Sequence, residues 1–152
     1  MKKTNLMYHI LFILSICFSI ASCSSDDEND IPNNTLQNTI ENDIQSGTWR
    51  ITKFIDSGID ETSEFSNYNF TFNSTGVLNA SNGTNSFNGT WNILSDGSDL
   101  NDLELNIFFN LMNDFDALTD DWDFISQTST KIELIDISGG GEPDDVLTFE
   151  RN

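Results

Sequence analysis

From Gly47 onward the sequence keeps a period of two, in short runs punctuated by turn residues, and this pattern restricts the fold more than any other feature of the chain. Successive side chains of a strand point to opposite faces, so alternation of apolar and polar residues marks a strand with one buried face. NYNFTFN sets Tyr68, Phe70 and Phe72 against Asn67, Asn69, Thr71 and Asn73. TWRITKFID puts Trp49, Ile51, Lys53 and Ile55 on one side. SFNGTWNIL does the same with Phe87, Gly89, Trp91 and Ile93, and LELNIFF with Leu103, Leu105, Ile107 and Phe109. VLNAS from Val77, DWDFISQ with Trp122, Phe124 and Ser126, TKIELIDIS from Thr130 and the closing VLTFER bring the strand candidates to eight. Between them, Asn73–Gly76 reads as a turn and Asn82-Gly83 as a two-residue hairpin signal. Leu94–Asp102 and Gly139–Asp145 read as loops. Leu111, Met112, Phe115 and Leu118 have helical spacing and predict a helical turn closing one end of the sheet. Short strands at regular spacing imply an all-β sandwich or barrel. An antiparallel up-and-down barrel of eight strands leaves no free edge, which suits a chain this rich in aromatic strands.

The N-terminus has a different logic. Lys2 and Lys3 precede the apolar stretch Leu6–Ile20, and the small residues Ala21 and Ser22 follow it. That is the layout of a secretory signal with its cleavage site, here residues 1–22. Residues 23–46 are polar and predict a disordered acidic tether, although Ile40 and Ile44 fit a short helical turn. A flexible chain of that length spans on the order of 25 Å. Residues 47–152 form the barrel domain.

Charge and composition exclude several functions. The chain of 152 residues has 25 acids and 6 bases, a formal charge of −19. Nucleic-acid binding needs Lys and Arg against phosphate, so it is excluded. Cleavage before Cys23 would remove Lys2, Lys3 and His9, the only histidine. It would leave one cysteine, so no disulfide within the mature chain. Without imidazole, Ser-His-Asp and Cys-His nucleophiles cannot be assembled, and the usual zinc sites are excluded too. Gly139-Gly140-Gly141 lacks the Lys-Ser/Thr and helix of a phosphate loop. Paired acids at Asp120-Asp121 and Asp144-Asp145 fall in turns or at strand edges, where carboxylates are solvated, so glycoside hydrolysis is not expected. Calcium suits acids better, and Asp96, Ser98, Asp99, Asn101 and Asp102 cluster in one loop, Asp114, Asp116, Asp120 and Asp121 in another. Leu100 and Leu118 occupy would-be ligand positions, which favours solvated loops. No enzymatic activity, metal or cofactor is expected.

Two short motifs carry family resemblances. Ile20-Ala21-Ser22-Cys23 resembles the lipobox of bacterial lipoproteins. That resemblance implies a diacylglycerol on the Cys23 thiol, cleavage before it and a membrane anchor, each buried methylene adding about 0.8 kcal/mol. Ser24-Ser25-Asp26-Asp27-Glu28 resembles the acidic export signal of surface lipoproteins in Bacteroidetes-type bacteria, which implies the outer membrane and its cell-surface face, with the periplasmic face as the alternative. Gly47-Thr48-Trp49 resembles the Gly-x-Trp of lipocalins, and the segment to Arg151 is similar to lipocalin-like domains of such lipoproteins. The resemblance implies that Trp49 packs across the closed barrel end and that Arg151 lies against it. Trp49, Tyr68, Phe70, Phe72, Trp91, Trp122 and Phe124 are expected to point inward together. They either line a pocket for a small apolar ligand or fill the barrel as its core. The first reading makes the protein a binder of a small ligand or surface partner. The second makes it a structural or accessory surface protein, and contact with carbohydrate through exposed aromatics is a third.

Overall fold

The computed structural model describes residues 33–137 and 143–152. The expected signal peptide, Cys23, the acidic export signal and the triple glycine at 139–141 lie outside the described residues. Helix α1 spans Asn33–Gln45, and nine strands follow: β1 Trp49–Asp56, β2 Ile59–Asp60, β3 Asn69–Phe72, β4 Val77–Ser81, β5 Ser86–Ser95, β6 Leu103–Phe108, β7 Asp120–Gln127, β8 Lys131–Asp136 and β9 Asp145–Arg151. Every pairing is antiparallel. β1 and β3 to β9 run in sequence order, and β1 also pairs with β9, so the eight close into an up-and-down barrel. β2 is an additional two-residue strand beside β1. The fold is the expected all-β, eight-stranded antiparallel barrel, and not the sandwich that alternation alone also allows.

The register corrects the expected parity in two places. β1 pairs with β9 through a bulge between Ile51 and Lys53. A bulge inserts one residue and flips the faces beyond it. Trp49 and Ile51 point inward as expected, but Phe54 is buried in place of Lys53 and Ile55. In β7 a second irregularity follows Phe124. It leaves Ile125 exposed and sets Ser126 opposite Glu133, to which its hydroxyl donates.

Turn chemistry is mostly as read. Gly76 has φ +78 in the Asn73–Gly76 turn, and its N–H donates to the Asn73 carbonyl. The Asn82-Gly83 hairpin forms, but its loop has four residues, because Ser81 pairs with Ser86. The Asn82 carboxamide oxygen accepts from the N–H groups of Thr84 (3.0 Å) and Asn85 (2.8 Å), which favours the wider turn. A 3-10 turn at Asp114–Leu118 buries Phe115 and Leu118, whereas Met112 is fully exposed and Leu111 half-buried.

The N-terminal expectation needs the larger correction. Residues 33–45 are helix rather than disordered tether. Leu36, Ile40 and Ile44 recur every four residues and make one apolar stripe. Ile40 and Ile44 join the barrel core. Thirteen residues with few strong helix formers are marginal alone. The open barrel end supplies the apolar partner that the sequence by itself does not reveal.

Candidate functional site

A ligand pocket would be expected first in the barrel interior. Its expected lining is there, but it is packed solid. Trp49 and Phe70 are 0% exposed, Phe72 and Trp122 1%, Phe124 2% and Trp91 5%. Tyr68 differs, lying half-buried at the rim before β3, with its ring 5.0 Å from that of Phe115. Apart from Trp49 and Phe124, the inward rings form a continuous chain of contacts. Trp122 meets Phe54 at 6.3 Å, Phe54 meets Phe65 at 5.4 Å, and Phe65 meets Phe115 at 5.4 Å. Phe115 meets Phe70 at 6.2 Å, Phe70 meets Phe149 at 5.4 Å, Phe149 meets Phe72 at 5.5 Å, and Phe72 meets Trp91 at 5.3 Å. Most of these pairs are edge-to-face, the geometry that the ring quadrupoles favour. A hollow beside them would leave ring surface open to solvent from inside.

The indole donors are engaged as well. Trp49 Nε1 donates to the Ile44 carbonyl at 2.8 Å, Trp91 Nε1 to Asn73 at 3.0 Å and Trp122 Nε1 to Leu118 at 3.2 Å. Sequence reasoning found the three Trp, Phe70, Phe72 and Phe124. It missed Phe54, hidden by the bulge, and Phe65, which sits in a 3-10 turn outside any strand.

The Gly-x-Trp motif closes one end. The Arg151 guanidinium lies 5.0 Å from the Trp49 ring centre, as the resemblance implies. Its Nη2 donates to the Asp43 carbonyl and to Ser46 Oγ, both at 2.7 Å. Gly47 has φ +141, and a side chain there would meet the Arg151 Nε at 3.5 Å. The backbone conformation favours glycine, and Arg151 lies at ordinary contact distance beyond it. Trp49 and Arg151 thus tie the end of α1 to the barrel.

The outer surface offers a different kind of place. On β5, β6 and β7, Asn92 pairs with Asn106 and Asn106 with Asp121, one row across three strands. Thr90 and Phe108 pair in the next row. With Ile107, Thr119 and Asp120 these residues line a groove of about 370 Å³. Phe108 is 53% exposed. The Asn106 Nδ2 is buried and has no partner. Asp120 Oδ1 accepts from the Asp121 N–H at 2.9 Å. Burial pushes the Asp120 carboxyl up to about 6, and the charges of Asp136 and Asp121 add to the effect. Burial also raises Glu104, together with the charges of Asp121, Asp123 and Asp96. A smaller groove of about 290 Å³ lies among Leu94, Ser95, Asp96, Asp102 and Glu104.

The acidic loops do not converge. Among the described residues no group of three acids, histidines or cysteines could hold a metal ion. Asp102 instead accepts from the Asp99 N–H at 2.9 Å, and Asp145 from the Ser57 N–H at 2.6 Å. Among the described residues no helix is long and apolar enough to cross a membrane.

No family model matches the chain, and no curated protein matches it. Among solved structures the chain is similar to the crystal structure of a DUF4847 family protein from Bacteroides vulgatus ATCC 8482. The identity is 19% and the TM-score 0.48, over 74% of this chain and 97% of that one.

Proposed function

We propose that this protein is a lipid-anchored, extracytoplasmic barrel without enzymatic activity, which acts as an accessory or binding protein through its outer surface. The observation that carries the reading is the interior: rings in mutual contact, indole donors engaged, and no exposed aromatic surface inside. A barrel used as a carrier keeps a cavity for its cargo; here the same space is core. The lipobox at Cys23 supports attachment to the outer membrane, and the acids after it support the cell-surface face over the periplasmic one.

Two experiments test the reading. A fluorescent fatty-acid analogue should show no saturable, displaceable binding, and displacement would restore the hollow-barrel reading. Mass spectrometry of the membrane fraction should find the chain beginning at Cys23 with a diacylglyceryl thiol, and Cys23→Ala should move the protein out of the membranes. An intact leader with a bare thiol would sink the anchor.

A further inference from the structure

We infer that the groove across β5, β6 and β7 is a binding site for a neutral saccharide. The inference rests on the reading that recognition takes place on the outer surface. Sugars present two chemistries at once: hydroxyls that both donate and accept, and a face of C–H groups. A site for them needs side chains with the same duality and an accessible aromatic face.

The groove has both. Asn92 and Asn106 carry carboxamides, each with two donors and one accepting oxygen, and Asp121 adds an acceptor beside them. Their row crosses three strands at a spacing of about 4.8 Å per strand, so the groups form a flat ladder. In the next row the Phe108 ring stands 53% exposed beside Thr90, as a surface on which a sugar face could rest.

The Asn106 Nδ2 points most directly to a ligand. It is buried and donates to nothing, although buried donors in folded proteins nearly always find an acceptor. A turn of the carboxamide about its side-chain torsions would bring the donor out to a hydroxyl oxygen in the groove. Charge narrows the class. The lining contains Asp120 and Asp121 and no Lys or Arg, so phosphate, sulfate and uronate ligands are repelled. A cation is the other candidate for such a lining, but no three acids converge among the described residues.

The test is a calorimetric titration of the full chain in a detergent without a sugar headgroup. The probes are maltohexaose, cellohexaose, xylohexaose and mannohexaose, with hexagalacturonate and calcium chloride beside them. The expected result is saturable binding of at least one neutral hexasaccharide and none of hexagalacturonate. Phe108→Ala and Asn106→Ala should each weaken that binding about tenfold, while Ile125→Ala, outside the groove, leaves it unchanged. Asn106→Ala should melt no lower than the parent, because it removes an unpaired buried amide; the residue then matters to the ligand rather than to the fold. Failure of all four neutral probes overturns the inference. So does binding that survives both groove substitutions, or calcium binding that the groove substitutions abolish. The fatty-acid assay on the same sample separates the two proposals: displacement there sinks the outer-surface reading, whereas silence in both assays sinks only the saccharide.

Discussion

The two ends of the barrel are closed by different physics. At one end α1 is held by directed polar bonds. Trp49, Arg151 and Gln127 reach the helix at Ile44, Asp43 and Asp43 again, and Gln37 reaches back from the helix to the Ile93 carbonyl. The last carbonyls of a helix lack partners within it and carry partial negative charge. An indole N–H and a guanidinium satisfy two of them here. At the other end Phe115 packs in ring contact with Phe65, Tyr68, Phe70, Phe87 and Phe109, all within 6.2 Å between centres. That closure is area and shape, with little direction.

The contrast can be broken from either side. The largest expected effect is Phe115→Ala, which removes a ring from the middle of five neighbours. It should cost about 3–5 kcal/mol and lower the whole melting transition, measured by calorimetry, because the cluster belongs to the core. Ile44→Ala should cost about 2–4 kcal/mol, since Ile44 is wholly buried between α1 and the barrel. Arg151→Met should cost about 1–3 kcal/mol through lost charged hydrogen bonds and cation–π attraction. Its signature is local: hydrogen exchange should quicken in α1 and stay slow in β4 to β6. Equal quickening throughout would show that the helix end is not a separable closure. Arg151→Lys should recover part of the loss, because one ammonium cannot both cover the ring and donate along two directions.

The smallest effect is in pH. The folded chain binds the Asp120 proton more tightly than the unfolded chain does, between the ordinary value of 3.8 and about 6. Unfolding releases that proton, so stability falls as pH rises through this window. Glu104 and Asp136 are raised too, chiefly by burial, and act in the same sense. Glu133 is lowered by its bond from Lys131, so its contribution is lost as pH falls below 4.5. Melting should therefore be higher at pH 5 than at pH 7, and Asp120→Asn should shrink that difference. An unchanged difference would place the titration elsewhere.

How much of this was legible depends on whether a feature is local. The eight strands were, because alternation is written in each one. The Trp49–Arg151 contact was legible only through a resemblance, since its partners stand at opposite ends of the domain. Phe54 was misplaced because a bulge leaves no composition signal: TWRITKFID alternates equally well without it. The helix was misread as tether because its stability comes from the barrel end. The groove was invisible, because Asn92, Asn106 and Asp121 each occupy an ordinary outward position. Only the register brings them into one row.

The helix that opens the described chain is bound to residues far along it: Asp43 to Gln127 and Arg151, Gln37 to Ile93. Gln127 and Arg151 lie 84 and 108 residues beyond Asp43, so they are made long after the helix. Among the described elements α1 is the first made, and its full set of bonds waits for β7 and β9. In that arrangement the seating of α1 reports that the closing strand of the barrel is in place.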